Sequence, residues 1–130
     1  MFGKKRNFKN QNWFDVFAHA AEGCWYGFRT QRNFKIHLFL SLLVLGLGLW
    51  LEVSFERFLL LVMSIIFGFT VEMANTAFEK TVDLVTEKYN PKAKIAKDLA
   101  AGTMLMASIG LAVLGFLILL PPLFEKLFGF

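Results

Sequence analysis

The run 58-FLLLVMSIIFGFTVEMANTAF-78 decides the fold. It has the length of a membrane-crossing helix, about 17 to 25 mainly apolar residues, and its one charged side chain is Glu72. Two similar blocks flank it. The stretch 99-LAAGTMLMASIGLAVLGFLILL-120 carries no charge, and 36-IHLFLSLLVLGLGLWL-51 contains no Asp, Glu, Lys or Arg. The latter reaches spanning length once the residues to about 54 are added. Composition agrees: 56% of the 130 residues are hydrophobic and 18% charged, whereas a soluble domain carries about a quarter charged residues. The expectation is an all-α membrane protein forming a single domain over 1–130. Its transmembrane helices fall at about 36–54, at 58–78 continuing into the cytoplasm, and at 99–120.

The flanks of these spans set the orientation. Lys4, Lys5, Arg6, Lys9, Arg29, Arg32 and Lys35 precede the first, and Lys80, Lys88, Lys92, Lys94 and Lys97 lie between the second and third. Arg57 stands between the first and second, and Lys126 follows the third. Basic flanks remain on the cytoplasmic side. The N-terminus and the 79–98 segment are therefore expected inside, with the 52–57 turn and the C-terminus outside. The pair 121-PP-122 is expected to end the third helix, because proline cannot continue the backbone ladder. The net charge of +4 is then largely a matter of topology, and nucleic acid is not an expected partner. A single cysteine, Cys24, excludes an internal disulfide framework.

Before the first span, Trp13, Phe17, Ala20, Ala21, Cys24 and Phe28 recur at helical spacing. Residues 13–34 thus read as an amphipathic helix lying in the inner headgroup region. His19 and His37 read as interfacial or packing residues rather than ligands.

The chemistry concentrates in 72-EMANTAFEKTVD-83. On one helix, Glu72, Asn75, Thr76, Glu79 and Asp83 fall within an arc of roughly 100°, and Glu72 lies about 10 Å deeper than Glu79. Ionisable groups at membrane depth usually face a bundle interior and mark a site. A seam that only glues helices would not need two like charges on one face. Glu79 and Asn75, one turn apart, offer the hard oxygen donors that Mg2+ takes alongside nucleotide phosphates. Glu72, desolvated and deeper, suits a general base. In 92-KAKIAKD-98, Lys94 and Lys97 share a face, and Asp98 stands where an acid would open the third helix. Lys97 is expected to grip phosphate and Asp98 to orient nucleotide or lysine. No Walker-type phosphate loop occurs. A base at membrane depth, with phosphate-binding lysines at the aqueous surface, suits phosphoryl transfer from ATP to a lipid alcohol.

The paired motif E-x-x-N-T-A-x-E-x-x-x-D (Glu72 to Asp83) and A-K-D-x-A-A-G (Ala96 to Gly102) closely resembles the prokaryotic diacylglycerol kinase family, over about residues 15 to 120. The strings 29-RTQRNFKIH-37, 82-VDL-84 and 99-LAAG-102 look more like the undecaprenol kinase branch. The resemblance implies a small three-span kinase in the bacterial cell (inner) membrane, a homotrimer with active sites shared between neighbouring subunits. It assigns Glu72 as catalytic base with Asn75 as its polar neighbour. Glu79 becomes a metal-binding carboxylate, Lys97 and Asp98 contact ATP, and 88-KYN-90 (with Tyr89 and Asn90) falls where the family's loop touches nucleotide. One position departs. Where the family generally carries a second metal carboxylate, this chain has Gln31, which offers a carbonyl oxygen without charge. The expected reaction is ATP-dependent phosphorylation of undecaprenol, with diacylglycerol as the alternative acceptor. A non-catalytic oligomeric membrane protein lined by Glu72 and Asn75 is the remote alternative.

Overall fold

The computed structural model describes residues 12–129. Within them the chain forms α1 (Trp13–Thr30), α2 (Arg32–Trp50), α3 (Phe55–Val85) and α4 (Pro91–Phe128). The last three are each long and apolar enough to cross a membrane. Lys4, Lys5, Arg6 and Lys9, on which part of the orientation argument rests, lie outside the described residues.

Helix α1 opens at Asn12, whose side chain accepts from the Asp15 N–H at 2.9 Å, so one orphan donor of the first turn is satisfied. The helix expected over 13–34 instead stops at Thr30, because Gln31 is extended (φ −95°, ψ 124°). The cause is a close approach. A Cβ on Gly27 would stand 3.3 Å from the Phe34 ring, so the glycine lets Phe34 fold back beneath α1. Phe34 is thereby buried and packs on Phe69 with ring centroids 4.8 Å apart. On one continuous helix residues 27 and 34 would be about 10 Å apart along the axis, and this contact could not form.

Helix α2 starts at Arg32 and ends at Trp50, both earlier than the 36–54 expected. Glu52, in the turn to α3, holds a positive φ of 52°. Lys126, arriving from α4, donates to the Trp50 carbonyl at 2.6 Å and places its ammonium 4.8 Å from the Trp50 ring centroid. It thus satisfies one of the carbonyls that a helix end leaves free.

Helix α3 runs unbroken through 31 residues, roughly 45 Å at 1.5 Å per residue. This exceeds the roughly 30 Å of a bilayer's hydrocarbon core, so one end projects beyond it. Helix α4 differs from expectation at both ends. It begins at Pro91 rather than near 99, with the Asn90 side chain accepting from the N–H groups of Lys92 (2.9 Å) and Ala93 (3.4 Å). Asn90 followed by Pro91 is a strong start signal, and it leaves Asp98 in the helix interior rather than at its opening. At the other end α4 passes through Pro121 and Pro122 to Phe128. Each proline removes one ladder donor, yet its fixed φ near −65° is itself helical, and membrane helices tolerate such losses.

The central helix is α3, packed against α4 and α2. Among the described residues few large apolar side chains are buried: Phe34, Leu51, Leu61, Met104 and Ile118. Others, such as Phe67, Leu105 and Phe116, point outward. In water that surface would be penalised at about 25 cal/mol per Å², while against lipid tails it is at home.

Candidate active site

The polar stripe read from the sequence occupies the inner face of α3. Glu72 is 2% exposed, and Asn75 and Thr76 are also buried. Glu79 and Asp83 follow on the same side, each half-buried. The Asn75 amide donates to a Glu79 oxygen (Oε1) at 3.2 Å. That bond uses the donor end of Asn75 and leaves its Oδ1 buried without a partner; Glu72 Oε2 is in the same condition. Buried polar atoms are nearly always paired, so two acceptors with no donor on one helix face are an unfilled demand for a hydroxyl or a cation. Glu79 lies close enough to act electrostatically on both Glu72 and Lys97, which places it between the deep carboxylate and the cleft above.

That cleft measures about 280 Å³ and lies where the last turn of α3, the 86–90 turn and the first turns of α4 meet. Tyr89, Asn90, Lys94, Lys97 and Asp98 line it together with Asp83. All of these stand out in the sequence. Asn90 serves double duty, since its side chain also caps α4. Lys97 donates to Asp83 at 2.6 Å across the two helices, and Lys94 pairs with Asp98 one turn on. Asp83 and Lys97 stand beyond the apolar stretches of their helices. The hydrogen bond from Lys97 holds the Asp83 carboxyl below its ordinary range, and the same bond raises the Lys97 ammonium.

Among the residues expected to hold metal, Asn75 and Glu79 are brought together and Gln31 is not part of their hydrogen bond. Gln31 closes α1 through its backbone N–H to the Gly27 carbonyl. Among the described residues no group of three His, Cys, Asp or Glu side chains gathers. The unclaimed Asn75 oxygen and the Glu79 carboxylate nevertheless suit Mg2+, which commonly takes one or two protein oxygens and completes its shell with phosphate and water. Residue pattern alone does not single out Asn33. Its side chain, carried by α2, lies in hydrogen-bonding range of the Glu72 carboxylate. Asn33 sits one turn before His37 on α2, but no spacing in the sequence says which α2 residue meets Glu72.

Residues 18–119 match the family described as prokaryotic diacylglycerol kinase. The chain belongs to that family. Among relatives of this prokaryotic diacylglycerol kinase family member is a Bacillus subtilis protein named undecaprenol kinase. It is 41% identical over 110 residues, covering 85% of this chain and 89% of that protein. A Synechocystis protein named diacylglycerol kinase is 41% identical over 108 residues, which is 82% of this chain and 62% of the relative. The Escherichia coli diacylglycerol kinase is 30% identical over 115 residues, 85% of this chain and 93% of that protein. As a member of the diacylglycerol kinase family the chain is an enzyme of the lipid kinase class, which removes the non-catalytic alternative.

Proposed function

We propose that the chain transfers the γ-phosphoryl group of ATP to the hydroxyl of undecaprenol, giving undecaprenyl phosphate and ADP. The observation that carries this is the pair of buried acceptors, Glu72 Oε2 and Asn75 Oδ1, that have no donor. A hydroxyl entering from the bilayer gives Glu72 its missing donor. As the oxygen–phosphorus bond to the γ-phosphoryl group forms and the bridge to ADP breaks, the hydroxyl proton passes to Glu72. Asn75 and Glu79 would hold Mg2+, which when bound neutralises charge on the phosphates. Lys97 reaches phosphate in competition with Asp83, Lys94 lies one turn away, and Asp98 orients Lys94 or the nucleotide. Tyr89 and Asn90 border the place of the base and sugar.

Undecaprenol is preferred over diacylglycerol because the relative of that name joins 41% identity to 89% coverage of its length, whereas the diacylglycerol kinases match at 41% over 62% of the Synechocystis protein or at 30% over 93% of the Escherichia coli one. The motif strings around 29–37 and 99–102 point the same way. Diacylglycerol remains the second reading, since several relatives carry that name. The enzyme sits in the bacterial inner membrane as a homotrimer, with the N-terminus and the α3–α4 turn cytoplasmic and the C-terminus outside. Helix α1 lies in the inner headgroup layer, where its exposed Trp13, Phe14, Phe17 and Trp25 find the interface such rings prefer. The test is transfer of label from ATP in mixed micelles, with each lipid offered separately and Glu72→Gln as the blank. Preferential labelling of undecaprenol supports the reading. Preference for diacylglycerol overturns the choice of lipid, and transfer to neither overturns the reaction.

A further inference from the structure

A carboxylate that takes a proton from an incoming hydroxyl works only if it presents an oxygen in a fixed direction. Helix α3 does not supply that direction for Glu72. The Asn75 amide, one turn along, is committed to Glu79, and Glu72 Oε2 has no partner. The donor in range comes from a different helix: it is the side chain of Asn33 on α2.

Its arrival there is a consequence of helix packing. Helices α2 and α3 run antiparallel, with His37 over Gly68 and Phe34 packed on Phe69 at a centroid distance of 4.8 Å. That register carries Asn33, one turn before His37, to the level of Glu72, one turn beyond Gly68. The His37 seat depends on the missing side chain of Gly68. A Cβ there would stand 3.2 Å from His37 Cε1 and 3.0 Å from Leu111 Cδ1. Both are tighter than ordinary contact, so the His37 ring and the Leu111 side chain would each have to give by a few tenths of an ångström. Gly68 and Glu72 are one turn apart on α3, as are Asn33 and His37 on α2. The spacing that admits His37 therefore also sets how near Asn33 comes to Glu72.

The geometry points to Asn33 as a positioning residue for the catalytic carboxylate. Its amide N–H, held in range by the seat of His37 on Gly68, engages one Glu72 oxygen and leaves Oε2 free for the acceptor hydroxyl. This inference rests on the kinase reading above. It makes Asn33 a partner of the base and not of the nucleotide, so its loss should appear in turnover and not in ATP binding.

The experiment uses the full chain in mixed micelles with the preferred lipid, measuring kcat and KM for ATP alongside the thermal unfolding midpoint. Asn33→Ala should lower kcat by about tenfold, the worth of one hydrogen bond to a charged group, with KM for ATP changed less than about twofold. Asn33→Gln, which keeps the donor, should recover most of that loss. Gly68→Ala, which alters neither polar side chain, should lower kcat in the same direction. Combined with Asn33→Ala it should cost less than the product of the two, because both act on one contact. Wild-type kcat in Asn33→Ala overturns the proposal. So does a loss that Asn33→Gln does not recover and that tracks a falling unfolding midpoint, since that pattern belongs to packing. An unaltered protein that phosphorylates neither lipid overturns the kinase reading, and this inference with it.

Discussion

Lys97 donates to Asp83 at 2.6 Å, and the bond ties the start of α4 to the end of α3 across the mouth of the cleft. The lysine proposed to hold phosphate is thus already held by a carboxylate. Asp83 competes with phosphate for the charge and the position of the Lys97 ammonium, whose other N–H groups are not used by this bond. Asp83→Asn should therefore lower KM for ATP by about two- to fivefold, the range that an exposed ion pair spans. Lys97→Met should raise it. Steady-state kinetics at saturating lipid decide the matter, and a rise in KM for Asp83→Asn would mean that the carboxylate orients Lys97 for the nucleotide.

Glu72 and Glu79 share a helix face but have different expected roles. Replacing Glu72 with Gln should reduce kcat by about 10²- to 10⁴-fold, the usual contribution of a general base, while nucleotide binding is retained. Glu79→Gln should leave some turnover but require more Mg2+ and ATP to reach it. Equilibrium binding of a labelled ATP analogue, measured beside turnover, separates the two. If both variants lost only thermal stability, the stripe would be helix-to-helix glue.

Gln31 stands at the α1–α2 junction, at the position for which the resemblance implies a second metal carboxylate. Changing Gln31→Glu should raise activity severalfold at limiting Mg2+ and little at saturating Mg2+, because an anionic oxygen binds the ion more tightly than an amide carbonyl. A titration of activity against Mg2+ for the two proteins tests this. Coincident curves would remove position 31 from the metal site.

Lys126 joins α4 to the end of α2, far along the helices from Glu72. Lys126→Leu should lower stability by about 1–2 kcal/mol through loss of a charge-assisted hydrogen bond and a cation–π contact. Turnover at low temperature should stay near wild type. Thermal unfolding in detergent provides the first number, and the transfer assay the second.

The membrane spans are legible because an apolar run of such length is at home only in a bilayer. The stripe is legible because helical periodicity puts Glu72, Asn75, Glu79 and Asp83 on one face whatever surrounds them. Ends are harder. Pro121 and Pro122 read as a stop, but the helix carries them, since a proline's φ is helical and α4 tolerates the missing donors. Asp98 reads as the opening of α4, although the Asn90–Pro91 pair several residues earlier is the stronger signal. The break at Gln31 depends on Phe34 reaching Gly27 and Phe69, and no local pattern encodes a contact between elements. Asn33 is silent in the sequence for the same reason: its meaning comes from the register of α2 on α3.

The unbroken course of α3 has a consequence for what the enzyme accepts. With about 10 Å of rigid helix axis between Glu72 and Glu79, the helix acts as a depth gauge. On the kinase reading, water reaches Glu79 more readily than Glu72, so an acceptor qualifies by how far below the surface it can hold its hydroxyl, and the length of the lipid tail beyond that depth is left free to vary.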